Sequence, residues 1–261
     1  MGVLPEFSLP SNSNVKIRMH EATVSDSIDF SDVDEDREER ATTLFLERVQ
    51  EKESYFDPRK WTASDRRFAL FWYFLHTSED LETPLTYDCR HCGKEHTALV
   101  DMRKVAEAYK SLNGKPERDI LFDGVPIIVK PLLGEDMEEL EGMRLSRDMA
   151  AEEHGLKSGE VNKLHTKLKL LSFLRTILLE GKDKTATEEW LEKLPASAFK
   201  KLYGRVGEAL SDIEHGLPMA LRDYQVVLLT HPLQCVNKKE DKDATTRLTF
   251  PFNAFDYIPR I

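Results

Sequence analysis

The sequence is poor in cysteine and in basic charge. It has only three cysteines in 261 residues, too few for the disulfide framework that stabilises small secreted domains. Its 37 basic residues are outnumbered by 47 acidic ones, which gives a formal net charge of −10. Because nucleic acids and anionic membranes bind basic surfaces, this balance predicts protein partners, with neither nucleic acid nor membrane as the main partner.

Long apolar runs and catalytic motifs are also missing. The longest apolar run, Phe68 to Leu75, is far shorter than the roughly 18 residues that a membrane-spanning helix needs. The N-terminal residues lack the basic and apolar regions of a secretory signal, so we expect an intracellular protein. The sequence contains no Gly-rich phosphate loop, nucleophile elbow or His-Glu-x-x-His motif, and it therefore predicts a protein that is not an enzyme.

A Cys-x-x-Cys knuckle is the most informative feature that is present. Cys89 and Cys92 are followed by Gly93, and the residues on either side have the composition of β-strands. Two thiols at this spacing can bind one Zn²⁺, while glycine allows the backbone to turn beneath the metal. A tetrahedral site needs two more ligands.

The C-terminal region offers those ligands in a second strand-turn-strand unit, with His231 and Cys235 at the turn. We therefore predict a structural zinc site formed by Cys89, Cys92, His231 and Cys235, with His96 or His91 as a substitute for the fourth ligand. The alternative is that the knuckle holds no metal and that Cys235 is a small buried apolar side chain.

Three further patterns predict the surrounding elements. Thr62 and Asp65 can cap a helix whose following residues are almost all apolar, which places that helix at the centre of the protein. The Asp123-Gly124 pair between two apolar runs is a strong hairpin signal. From 158 to 180 apolar residues recur at helical spacing, with Gly181 placed to end the helix, and Thr185 with Glu188 forms a candidate capping box for the next one.

These elements together predict an α+β fold. Small hairpins resembling a zinc ribbon come from the N-terminal half and from the C-terminus and join each other, and a largely helical block accompanies them. We expect residues 1–134 and 217–261 to form one α+β domain that contains the knuckle hairpins. Residues 135–216 would be a helical insertion or lobe.

The order of short motifs also resembles a known protein family. Leu9-Pro-Ser-Asn leads into Val15-Lys-Ile-Arg, an Asp65-Arg-Arg helix start follows, Cys-x-x-Cys-Gly precedes Val100-Asp101, and the chain closes with Leu248-Thr-Phe-Pro-Phe252-Asn-Ala-Phe255. This order resembles the baseplate-hub and tail-assembly protein family of long-tailed bacteriophages. The family's first cysteine pair maps onto Cys89 and Cys92. At its second pair this chain departs from the pattern, because His231 and Cys235 replace a Cys-x-x-Cys.

The resemblance implies a non-catalytic role in virion morphogenesis through binding to other phage tail or baseplate proteins. The protein would be either a baseplate component retained in the tail tip of the virion or a chaperone that acts in the host cytoplasm during assembly, and an oligomeric state stays open. The rival hypothesis is an intracellular zinc-ribbon adaptor in transcription or RNA handling. That rival predicts a basic face beside the knuckle, with Arg90 and Lys94 as its first candidates.

Overall fold

The computed structural model describes residues 2–222 and 225–259, and its elements confirm the predicted α+β class. The α-helices are α1 (Val24–Ser31), α2 (Glu38–Val49), α3 (Ala63–Thr77), α4 (Met102–Glu107), α5 (Gly134–His154), α6 (Gly159–Leu174), α7 (Lys184–Glu192) and α8 (Ala196–Asp212). The strands are β1 (Phe7–Leu9), β2 (Asn12–Ile17), β3 (Glu82–Asp88), β4 (Glu95–Asp101), β5 (Arg118–Phe122), β6 (Val125–Val129), β7 (Ile177–Leu179), β8 (Met219–Arg222), β9 (Gln225–Leu229), β10 (Leu233–Gln234), β11 (Thr245–Thr246) and β12 (Thr249–Pro251).

The strands form small antiparallel sheets. β1 pairs with β2, β3 with β4, and β10 with β11, whereas β5–β6–β7 and β8–β9–β12 are three-stranded. The β-rich composition of residues 224–230 predicts a strand, and Gln225–Leu229 forms β9, while Tyr224 lies outside the described residues. Among the helices of residues 2–222 and 225–259, none combines the length and hydropathy that crossing a membrane would require.

Helix α3 is the centre of the larger hydrophobic cluster, as its sequence predicts. Thr62 caps it by accepting from Asp65 N, and the Asp65 carboxylate accepts from Thr62 N in return, so the first turn has its donors paired. Five apolar side chains of α3 are buried in this cluster. It also contains residues near both ends of the chain: Phe7, Leu9, Ile17, Met19, Leu217, Leu228, Leu233, Phe252, Ala254 and Ile258.

The second hydrophobic cluster combines the β5–β6–β7 sheet with helices α6, α7 and α8. The predicted Asp-Gly hairpin forms its edge, with φ angles of 49° at Asp123 and 81° at Gly124, the positive values that a two-residue turn of this type needs. The cluster therefore includes residues 118–129 as well as helices of the 135–216 block. The domain boundary proposed from the sequence stays a prediction.

Two details of the helical block differ from the sequence prediction. The helix predicted over 158–180 ends at Leu174, because Ile177–Leu179 leaves the helical path and pairs with β6. Over only three residues, an apolar run is compatible with both a helix and a strand. Here the free edge of β6 makes it a strand. The next helix is capped by Asp183, which accepts from Ala186 N, rather than by the predicted box at Thr185.

A buried arginine of α3 bonds to α2 and packs against the start of α5. Arg66 is 1% exposed, and its guanidinium donates to Thr43 Oγ1 at 2.8 Å and to the Glu39 carbonyl at 2.6 Å. Gly134, at the start of α5, packs so closely here that a Cβ atom would overlap this guanidinium and the Pro58 carbonyl. Helix α5 is therefore fixed against the larger cluster.

Candidate metal centre

The first knuckle closes the β3–β4 hairpin. Cys89 directly follows β3, and its N–H donates to the Lys94 carbonyl at 3.0 Å while its own carbonyl accepts from Gly93 N at 2.8 Å. Gly93 has a φ of +67°, a left-handed conformation that glycine adopts without steric cost. The tight turn places Cys92 back beside Cys89 at one end of the hairpin.

The C-terminal ligand is held by a second, shorter hairpin. Cys235 follows β10, and its N–H donates to the Ala244 carbonyl at 2.8 Å, which extends the β10–β11 pairing by one step. The Gln234 side-chain amide donates to the carbonyls of Lys238 at 3.0 Å and Asp241 at 2.9 Å, across the intervening polar loop. These bonds fix the loop and with it the position of Cys235.

Three thiols and one imidazole converge between the two hairpins. The Sγ atoms of Cys89, Cys92 and Cys235 and a ring nitrogen of His96 all lie within 4.8 Å of one another. His96 Nε2 is 3.1 Å from Cys92 Sγ and 4.0 Å from Cys235 Sγ. Cys89 and Cys235 are each 1% exposed, whereas Cys92 and His96 are half-buried. The group therefore has two buried and two accessible donors.

The spacing of these donors suits a tetrahedral ion. With Zn–S bonds of about 2.3 Å and a Zn–N bond of about 2.0 Å, tetrahedral geometry places the donor atoms about 3.5 to 3.8 Å apart. The 4.8 Å limit on the group needs only small side-chain movements to reach that value. Three sulfur donors and one imidazole are also a donor set typical of structural zinc sites. The residues present fit a metal ion.

The thiols differ in their electrostatic environments. Hydrogen bonds from the Asn237 side chain and from the backbone at Lys94 lower the pKa of the Cys92 thiol from 9.0 to about 6. Burial raises the pKa of Cys235, and the neighbouring thiol of Cys89 adds to this effect. A thiolate is the form that binds a metal, so the lowered pKa prepares Cys92 for coordination.

Polar contacts beside the thiols connect the same two hairpins. Asn237 Nδ2 donates to Cys92 Sγ at 3.5 Å. His91 Nε2 lies 2.8 Å from the Thr245 carbonyl oxygen, and because a carbonyl only accepts, this nitrogen carries the proton. Hydrogen-bonding neighbours of this kind hold metal ligands in position and adjust the charge on them. The knuckle and the C-terminal loop are thus joined by hydrogen bonds around the thiol group.

The structure brings some of the predicted ligands together and leaves others apart. Cys89, Cys92 and Cys235 come together with His96, the substitute fourth ligand. His231, the preferred one, is not in the group, and its Nδ1 is buried with no hydrogen-bond partner among the described residues. His231 is half-buried, and Leu233, between His231 and Cys235, is buried in the larger hydrophobic cluster. His91 binds the Thr245 carbonyl instead.

A signal for His96 was present in the sequence. Side chains alternate between the two faces of a strand, which puts His96 on the same face of β4 as Val100, a fully buried residue. In the hairpin register His96 is directly opposite Tyr87, two residues before Cys89. The alternation therefore directs His96 to the face on which Cys89 lies.

Comparison with known proteins adds no relative: no family model, no curated protein and no solved structure matches this chain.

Proposed function

We propose that Cys89, Cys92, His96 and Cys235 bind one structural Zn²⁺ that joins the knuckle hairpin to the C-terminal hairpin. The observation that carries this proposal is the convergence of four soft donors from segments 139 residues apart in sequence. The apolar packing at this point is small, because the buried cluster consists of Cys89, Cys235 and Ala244. Burial of so few atoms contributes little, and a metal ion supplies the missing stabilisation.

The protein acts, in this proposal, as a non-catalytic binding component of phage tail assembly, either in the baseplate hub or as an assembly chaperone. Four protein ligands leave no open coordination position for substrate, which is typical of structural rather than catalytic zinc. The tail-assembly role is supported by the motif order from Leu9 to Phe255. The β3–β4 hairpin exposes an apolar side chain at Leu99, which is 64% exposed.

Metal content tests the first part of this proposal. The purified full-length chain, dialysed against metal-free buffer, should contain one zinc per chain by plasma emission spectroscopy. Cys235→Ser and His96→Asn should each lower that ratio sharply, because each removes a ligand. His231→Asn is the matched control and should keep the metal. The assignment would be overturned if the wild-type chain contained no zinc. It would also be overturned if His231→Asn lost the zinc while His96→Asn kept it.

A knockdown in the encoding virus tests the tail-assembly role. Without the protein, electron micrographs of infected cells should show filled heads that lack finished tails. Expression of the wild-type chain in trans should restore complete particles, whereas expression of Cys89→Ser should not. A normal yield of tailed particles in the knockdown would contradict the role.

A second candidate function is a zinc-ribbon adaptor that binds nucleic acid. It is favoured by three arginines beside the knuckle, Arg90, Arg222 and Arg247, which line one cleft. The net charge of −10 weighs against this candidate, because binding to nucleic acid relies on basic groups that neutralise phosphates. Titration of single-stranded RNA and duplex DNA at 50 and 200 mM salt decides: submicromolar, steeply salt-dependent binding would favour this candidate over tail assembly.

A further inference from the structure

A basic cleft lies between the knuckle hairpin and the C-terminal strands. It has a volume of about 260 Å³, and its walls include Arg90 from the knuckle turn, Arg222 at the end of β8, and Arg247 between β11 and β12. The chain has 47 acidic residues against 37 basic ones, yet three arginines and no carboxylate are found among the described residues that line this cleft. The cleft is a local reversal of the overall charge.

These arginines are not used by the fold as ion-pair partners. Within residues 2–222 and 225–259, none of the three forms a salt bridge. All three residues are exposed, so their guanidinium groups are accessible to a ligand. Arg222 is already oriented, because its Nη1 donates to Thr249 Oγ1 at 3.0 Å.

Threonine hydroxyls add neutral hydrogen-bonding groups to the same walls. Thr86, Thr246 and Thr249 all line the cleft. Thr246 is only 6% exposed, and its Oγ1 has no hydrogen-bond partner in the described part of the chain. An unpaired buried hydroxyl costs free energy until it finds a partner. An oxyanion in the cleft would provide one.

We propose that this cleft binds the carboxylates of a short acidic segment in a partner protein. The planar fork of arginine matches a carboxylate with two parallel hydrogen bonds, and such charge-assisted bonds are among the stronger polar contacts. Leu85, Tyr87 and Leu248 form an apolar part of the wall, which suits the aliphatic stems of glutamate side chains. The inference rests on the proposed function, since it names the chemistry of the assembly partner.

The size of the cleft favours a short peptide over nucleic acid. A volume of about 260 Å³ accommodates a few side chains, whereas proteins that bind single strands follow the phosphate backbone over about four or more nucleotides through an extended basic groove. The chain as a whole has a net charge of −10, which disfavours binding of an extended polyanion. A segment with two or three carboxylates is short enough to fit within the cleft.

Fluorescence anisotropy with a labelled hexaglutamate peptide tests the inference on the zinc-loaded full-length chain at 50 mM salt. The double variant Arg222→Gln/Arg247→Gln should weaken binding at least tenfold, because two charge-assisted contacts are lost. Thr246→Val, which removes only the hydroxyl, should weaken it about two- to fivefold. The matched control Lys201→Gln/Arg205→Gln removes two exposed charges from α8 and should change affinity less than twofold.

Several outcomes would overturn the inference. The first is that the peptide shows no saturable binding up to 1 mM. The second is that the α8 control loses as much affinity as the arginine variant. The third is that a labelled twelve-nucleotide thymidine oligomer binds more tightly than the peptide. Zinc content measured on the same samples separates this failure from failure of the metal centre. If the chain contains no zinc but binds the peptide, and the arginine variant loses that binding, the cleft proposal is supported and the metal proposal is overturned.

Discussion

The α3 cluster and the thiol group bring distant parts of the chain together by different physical means. Around α3, large apolar side chains from both ends of the sequence pack into one core, with Phe45, Leu70 and Phe71 almost fully buried. Around Cys89 and Cys235, the hydrophobic cluster among the described residues has one further buried member, Ala244. Apolar burial is extensive in the first region and small in the second, so it contributes less stabilisation there. The hairpin pair is joined by polar bonds and, in our proposal, by a metal ion.

Metal removal should have the largest effect and should be confined to the hairpins. Structural zinc binding is worth roughly 10 kcal/mol or more in small metal-dependent folds. In a chelated sample or in Cys89→Ser, amide hydrogen exchange should therefore become fast over 85–99 and 233–246, while the amides of α3 stay protected as the internal control. Unchanged protection of both hairpins after chelation would show that the metal is not needed there.

Truncation in the α3 core should destabilise the whole protein without affecting the metal. Phe71 is 1% exposed and packs against Tyr257 with ring centroids 5.8 Å apart. Phe71→Ala should lower the free energy of unfolding in urea by about 3 to 5 kcal/mol, since it leaves a cavity. The bound zinc per folded chain should stay the same. Loss of zinc at unchanged stability would reverse the roles assigned to the two regions.

Removing the buried carboxylate at the start of α3 should have an intermediate effect. Asp65 is fully buried and accepts from Thr62 N at 3.2 Å and from Ser11 N at 2.8 Å, so it ties the N-terminal arm to the helix. Asp65→Ala leaves these donors unpaired and should cost roughly 1 to 3 kcal/mol in thermal or urea unfolding. Asp36→Ala, at an exposed position, is the control. Equal stability of both variants would count against the role of Asp65.

The smallest expected effect concerns the hydrogen bond that supports the metal centre. His91→Ala removes the bond to the Thr245 carbonyl and should cost about 0.5 to 1.5 kcal/mol, the usual net value of one such bond. Its zinc content should match that of the wild type, because His91 is outside the ligand group. Full loss of zinc in this variant would instead make His91 a ligand.

Local patterns predicted the elements that are decided by neighbouring residues. The Thr62–Asp65 cap needs residues three apart, and the Asp123-Gly124 turn needs two adjacent residues with positive φ. The spacing of Cys89 and Cys92 likewise shows that both thiols can reach one ion. Each of these features is complete within a few residues, so the sequence alone was sufficient.

Features that depend on distant partners could not be predicted in the same way. Ile177–Leu179 is a strand because β6 offers it an edge, and nothing near Ile177 records that edge. The fourth ligand depends on how the two hairpins face each other. Cys235 and any of His91, His96 and His231 were compatible with the sequence spacing, and the folded arrangement brings His96 beside the three thiols.

X-ray absorption at the zinc K-edge of the purified full-length chain tests the Cys₃His centre most directly. We predict a first shell of three sulfur atoms at about 2.3 Å and one nitrogen at about 2.0 Å from the ion. His96→Asn should change the nitrogen contribution or release the ion, and His231→Asn should leave the spectrum unchanged. A shell of oxygen and nitrogen donors with fewer than three sulfurs would contradict the proposed centre.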